Sequence, residues 1–343
     1  MKRRTFLYGA MGTAIAATAV GCGGQQSSGG ATGGNRGGGL STIRVGHYFN
    51  ENHPNHKALV EVFKPEVEQA SNGEIEVQVF PNSQLGDEEA MSNGVRNGSI
   101  EMAVPGMLLA NADRRLGLAE FPFLFNDHDH ARRALDGDTG QFMVEACTDL
   151  GLKHMGWSLN GFRVISSNRA ITKMDDFQGF RLRMPNVPVY IMCGEALGAT
   201  ITPMAITEIF TALEQGVIDG QENPYLTVLA NGWYEVQSHM IETYHLMSPN
   251  MYLFNLELFN SLDADTQQII TAAADKSSRH AWNTSVEEEK TVKQELEGHG
   301  MEIIIPDESF RTDLHAAMDG VYAQLEQEFD WAGEQIEIAK SYA

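Results

Sequence analysis

Between Ile43 and Pro105 the spacing of apolar residues switches back and forth between period two and period 3.6, and this constrains the fold more than any other feature of the chain. Ile43, Val45 and Tyr48 outline a strand. From Asn55 to Ser71, Leu59, Val60, Phe63 and Val67 fall at helical spacing, with Pro65 as a kink and Asn72-Gly73 as the stop. Ile75, Val77 and Val79 then alternate with Glu74, Glu76 and Gln78, a short helix is expected from about Asp87 to Arg96, and Ile100–Pro105 supplies a further strand. Strand, helix, strand, helix, strand in so short a run predicts a right-handed parallel α/β sheet, whose ligand sites lie at the carboxyl ends of its strands.

The middle of the chain repeats the pattern. Strands are expected near Lys153–Leu159, Arg163–Ser167 and Arg181–Met184, and helices near His130–Leu150, Pro188–Leu197 and Ile206–Gln215. Gly216–Gly220 reads as a turn leading into Gln221–Pro224. With 343 residues the chain exceeds the usual span of one domain, about 100–200 residues, so a second lobe is expected. Asp265 to about Gly298 lacks internal proline and glycine, which predicts a helix of about 45–50 Å that crosses between lobes.

Charge narrows the partners. The chain carries 24 Lys+Arg against 46 Asp+Glu, a net charge of −22, and no basic run follows residue 4. Nucleic acid is excluded, and docking on an anionic lipid surface is disfavoured. The first 22 residues have another character: Arg3-Arg4 precede Phe6-Leu7 and a bland Ala/Gly/Thr stretch to Val20, which resembles a twin-arginine export signal. The segment ends Ala19-Val20-Gly21-Cys22, where small residues before a cysteine resemble a lipobox and make Cys22 the expected lipidated N-terminus. Residues 23–40, rich in Gly, Ser and Gln, read as a flexible tether. A lipid, a leash and a folded body predict a protein in the periplasm or on the outer face of the cytoplasmic membrane, touching the membrane only through its anchor. Cys147 and Cys193 lie in apolar helical patterns and are expected to be buried free thiols.

No fingerprint of catalysis is present: no G-x-S-x-G, phosphate loop, G-x-G-x-x-G after a strand, or H-E-x-x-H. Neither a cofactor nor a metal is expected, and a hydrolase is disfavoured for want of an activated nucleophile. Asp127-His128-Asp129-His130 reads as a helix cap rather than a metal site, His53-Pro54-Asn55-His56 as a solvated helix start, and Glu287–Glu289 as a solvated helix face. More informative are arginines in an acidic chain where strands should end. Arg163 follows Leu159-Asn160-Gly161; Arg181 and Arg183 share one side of a strand, opposite Phe180 and Leu182. A guanidinium offers a planar fork that matches a carboxylate.

Around Arg183 the sequence resembles the DctP-type solute-binding subunits of TRAP transporters. The resemblance runs from Ile43 to about Phe329, through Pro81-Asn-Ser-Gln-Leu-Gly86, Phe121-Pro-Phe-Leu-Phe125, Asn160-Gly-Phe-Arg163, Gly179-Phe-Arg-Leu-Arg-Met-Pro-Asn186, Thr202-Pro-Met204, Ala212-Leu-Glu-Gln-Gly216 and Asp219-Gly-Gln-Glu-Asn-Pro224. It implies an α/β, two-lobed periplasmic-binding-protein-like fold with hinge strands and a lobe-spanning helix. The first lobe is expected over 41–160, completed by about 249–288, and the second over 161–248, completed by about 289–330, with 331–343 a C-terminal tail. The resemblance also implies a non-enzymatic protein that captures an organic acid and delivers it to TRAP permease subunits. Arg183 matches the arginine that clamps the ligand carboxylate, Arg163 a second arginine found in sialic-acid binders, and Asn186 and Asn223 polar ligand contacts; Glu222 is expected to be structural. The first-lobe Asn and Glu of the sialic-acid pattern are replaced by Tyr48 and Gly106, and its aromatic by Ile206, so another ligand is expected. His47, Asn50, His53, Trp157 and Tyr225 could serve hydroxyls. A sugar acid such as a uronate is expected first, a C4-dicarboxylate second; a subunit feeding a sensor is the remaining alternative.

Overall fold

A mixed sheet of nine strands runs through the body, which a computed structural model describes over residues 39–343. The strands are β1 (Thr42–His47), β2 (Glu76–Phe80), β3 (Met102–Val104), β4 (Leu152–Ser167), β5 (Arg181–Met184), β6 (Thr200–Pro203), β7 (Gly220–Asn223), β8 (His239–Asn255) and β9 (Glu302–Ile304). β2, β1 and β3 form one parallel flank, and β7, β5 and β6 form the other. Between them β4 and β8 run antiparallel along most of their length. β8 holds β3, and β4 holds β7. The expected α/β architecture with strands crossing between two parallel flanks is therefore present.

Two departures concern the crossing strands. β4 is one strand where two were expected, because Asn160-Gly161 is a bulge and not a turn. The register slips between Leu159 and Gly161, and Gly161 takes φ of 132°. A side chain there would also press on Pro224, its Cβ only 2.9 Å from that of the proline. β8 had no signature at all. Its second half is buried on both faces, which erases alternation, and it carries Pro249, paired opposite Leu159.

Several helices also follow local chemistry. The 55–71 helix is α-helical at Pro54–Ala58, widens into a π turn at Leu59–Phe63, and resumes at Lys64–Ala70, so the kink expected at Pro65 is a π turn just before it. The 130–150 helix is two, His128–Asp136 and Asp138–Asp149, parted at Gly137. Asp127 caps the first, its Oδ1 accepting from the His130 N–H at 2.7 Å. Residues 331–343 hold the helix Ala332–Lys340, whose Ala332, Ile336 and Ala339 are buried.

The long helix spans Ala264–Gly298, 35 residues, capped by Asp263. It buries Ile270, Ala274 and Trp282 in the larger core cluster, which takes in side chains of both flanks, and Val292 and Leu296 in a smaller cluster with Ile209, Leu213 and Trp233. It therefore spans both cores. Cys147 and Cys193 are buried free thiols, as expected. No helix among the described residues is long and apolar enough to cross a membrane. Residues 1–22, Cys22 included, and the 23–38 part of the expected tether lie outside the described residues.

Candidate functional site

Strand alternation delivers the central side chain. Arg181 and Arg183 point to one side of β5, but Arg181 opens the strand and stays exposed, tied to Asp219 by Nη2–Oδ1 and Nε–Oδ2 contacts of 2.5 and 3.0 Å. Arg183 sits near the carboxyl end and is 2% exposed. There it lines a cleft between the ends of the two parallel flanks. Its Nε and Nη2 donate to the Met204 carbonyl at 3.1 and 2.7 Å. That carbonyl fixes one edge of the guanidinium and leaves the Nη1–Nη2 edge free for a planar two-oxygen acceptor. Burial lowers the Arg183 pKa to about 10, with Glu222 and Glu88 opposing the fall, so it remains a cation at neutral pH.

Arg163 lines the same cleft but is already committed. Its Nε pairs with Glu222 Oε2, and its Nη2 donates to Glu222 Oε1 at 2.7 Å and to the Glu222 carbonyl at 2.8 Å. The Tyr190 ring lies 4.9 Å from its guanidinium carbon. Burial disfavours charge on both partners, yet their mutual attraction outweighs it: Arg163 is raised and Glu222 lowered from their ordinary ranges. The expectation that Glu222 is structural matches this geometry. His245 Nε2 lies 3.6 Å from Glu222 Oε2.

Sequence reasoning passed over two carboxylates here. Glu88 opens the helix Glu88–Asn97, placed by Asp87, whose Oδ1 accepts from the Ala90 N–H at 2.8 Å. The Glu88 carboxylate rests against Gly106, which has φ of 69°, and any Cβ there would collide with Glu88 Oε1. Glu120 Oε1 accepts from Tyr190 Oη at 2.5 Å and Ser248 Oγ at 2.6 Å, while its Oε2 is buried with no hydrogen-bond partner among the described residues. Burial pushes both glutamates up to about 7, against the pull of nearby arginines. Glu120 carried one legible signal, a lone carboxylate in the apolar run from Leu116 to Phe125. Tyr190 was hidden in a helix, and Ser248 lies on the strand that periodicity missed.

The other expected contacts divide. Tyr48 and Asn223 line the cleft. Tyr48 Oη donates to Asn250 Oδ1 at 2.9 Å, and Asn223 Nδ2 donates to Gln221 Oε1 at 2.7 Å. Asn186 is exposed beside two lining residues, Pro185 and Val187, and its backbone carbonyl accepts from Asn111 Nδ2 at 2.8 Å. His47 and Trp157 do not line the cleft. His47 is fully buried on β1, 3.1 Å from His56 Nδ1, and burial holds its pKa well below the ordinary range. Trp157 packs in the core with its ring 4.5 Å from that of His154. His53 is buried as well, a correction to its solvated reading: its Nδ1 accepts from the Asn55 N–H at 3.2 Å and caps the helix Pro54–Ala58, and its ring stacks on Phe49.

A cleft with one free guanidinium edge, carboxyl and hydroxyl groups on its other walls and apolar sides from Met107, Leu108, Val187 and Ile206 is built to hold a small hydroxylated anion. The class is an organic-acid binder. Residues 45–328 match the family described as bacterial extracellular solute-binding protein, family 7 (DctP), and the chain belongs to that family. Among solved structures it is similar to a TRAP periplasmic solute-binding protein from Haemophilus influenzae with bound L-gulonate: 37% identity, TM-score 0.86, covering 88% of this chain and 99% of that one. It is also similar to the sugar-acid-binding protein DctPAm from Advenella mimigardefordensis in complex with galactonate, at 28% identity and TM-score 0.85, covering 89% and 99%. The 2,3-diketo-L-gulonate-binding periplasmic protein YiaO of Escherichia coli is 30% identical over 265 residues, 77% of this chain and 80% of its own.

Proposed function

We propose that this protein captures a six-carbon sugar acid outside the cytoplasm and hands it to a TRAP permease, making and breaking no bond. The observation that carries the reading is Arg183, buried at the end of β5 with one edge free, in a cleft whose remaining walls offer groups suited to hydroxyls. The bound aldonates of two similar structures, L-gulonate and galactonate, favour an open-chain acid over the uronate expected from sequence. A dicarboxylate is the weaker reading: its second carboxylate would need another cation, and Arg163 is occupied by Glu222. Arg163 then acts by holding Glu222 in place, while Tyr48 and Asn223 contact the ligand and Asn186 joins them as the cleft shuts.

In this reading 41–160 and 161–248, each completed by later segments, are lobes that close on the ligand about β4, β8 and the long helix. Calorimetric titration with L-gulonate, D-galactonate and succinate tests both parts. The sugar acids should bind at least tenfold tighter than succinate, and scattering from the saturated sample should give a smaller radius of gyration. Tighter succinate binding would overturn the sugar-acid assignment, and an unchanged radius the closure.

We also propose that the protein is exported by the twin-arginine route and anchored through a lipid on Cys22. Cys22→Ala should move it from the membrane pellet to the soluble fraction of the cell envelope. Full retention in the pellet would defeat the anchor.

A further inference from the structure

Three glutamates and two arginines meet at the cleft, and their pairing is uneven. Arg163 is committed to Glu222 by two nitrogens. Glu120 is held on one oxygen by the hydroxyls of Tyr190 and Ser248. Glu88 differs from both. No side chain among the described residues hydrogen-bonds its carboxylate, which lies over Gly106 and lines the cavity. The charged groups that act on it are Arg183 from β5, Arg163 from β4 and Asp87 on its own helix, with the Tyr48 phenol beside it at the end of β1.

Glu88 and Arg183 line the same cavity with no ion pair between them among the described residues. Arg183 is the leading charge that favours ionised Glu88. A bound acid must seat its carboxylate on the same guanidinium, because the other edge is taken by Met204 and the other arginine by Glu222. One cation cannot compensate two carboxylates in a closed, desolvated cleft, and a second ionised carboxylate there would be stranded.

We propose that the cleft takes up one proton at Glu88 when it binds its sugar acid, the ligand carboxylate bringing a further negative charge into the cavity that Glu88 and Arg183 both line. The proton comes from solvent and adds to a Glu88 oxygen, with no bond of the ligand broken. Once neutral, Glu88 donates a hydrogen bond toward a ligand hydroxyl where before it could only accept. The inference rests on the sugar-acid reading above. Burial has already brought Glu88 up to about 7, so neutralising Arg183, the cation that acts on it most, carries it higher. The sign follows: with the bound-state value above the free one, protons are gained on binding at pH above about 7, and affinity falls about tenfold per pH unit there and is flat below.

The test is titration calorimetry of the intact protein with L-gulonate and D-galactonate at pH 8, in phosphate and in Tris, whose ionisation heats differ. The expected result is a heat difference equal to about one proton per ligand bound, with Kd rising about tenfold from pH 7.5 to 8.5. Glu88→Gln, which fixes the neutral form, should give equal heats in the two buffers and a flat pH profile. Binding with identical heats in both buffers overturns the proton uptake and leaves the sugar-acid reading standing. Binding of neither acid at any pH overturns that reading and the inference with it. Uptake that persists in Glu88→Gln removes the assignment to Glu88. Should that variant not fold, the buffer and pH dependence of the parent decide alone.

Discussion

Arg183→Ala is expected to weaken L-gulonate binding by two to four decades in Kd, the largest effect of any single substitution in the cleft. The carboxylate would be buried with no cation opposite it, at a cost of about 3–5 kcal/mol. Arg183→Lys should recover little. An ammonium keeps the charge but cannot hold the Met204 carbonyl with one edge and a carboxylate with the other. Arg169→Ala is the control, since Arg169 is exposed and its Nη2 donates only to the Asp176 carbonyl at 2.7 Å; binding within about threefold of the parent is expected. Calorimetry of the three variants decides. Parent-like affinity in Arg183→Lys would remove the two-edged role, and in Arg183→Ala the site itself.

The second large effect is on stability. Arg163→Ala and Glu222→Ala should each cost about 3–5 kcal/mol of unfolding free energy, because each leaves the partner's charge buried and unmatched. Removing both should cost clearly less than the sum, since neither charge is then orphaned. Urea unfolding of the two single variants and the double variant provides the cycle. Strictly additive costs would show that the pair is uncoupled. Single costs below about 1 kcal/mol would place it with exposed ion pairs.

What the sequence revealed, and what it hid, follows from how local each signal is. Arg183 was legible because one pleat decides where it points: Phe180 and Leu182 are buried on one side, and the two arginines share the other. A cap at Asp127 or Asp129 was legible for the same reason, and the structure selects Asp127, whose partner is three residues away. The long helix needed only the absence of breakers. Glu88 and Glu120 are different. Nothing within a few residues of either says that Arg183 or Tyr190 will face it, because those partners arrive on other elements. His47 misled for a related reason: it lies on the strand whose end forms the site, but on a side that packs inward against His56. Trp157 lies where β4 pairs with β8, opposite Met251, on a strand that periodicity could not find.

The crossing of β4 and β8 also sets the order in which the chain can fold. β3 at Met102–Val104 lies against Phe254 and Leu253, and β7 at Gly220–Asn223 lies against residues 164–167. The first flank thus lacks its inner neighbour until a segment about 150 residues downstream has emerged from the ribosome, and β8 in turn waits for β9 at Glu302–Ile304. No division of the chain between residues 104 and 253 yields a half that keeps all its strand partners. Such long-range pairing is slow to form, because loop closure must precede the contacts that reward it. During synthesis the first flank consequently matures late, with the ligand cleft assembled only after nearly the whole body has been made.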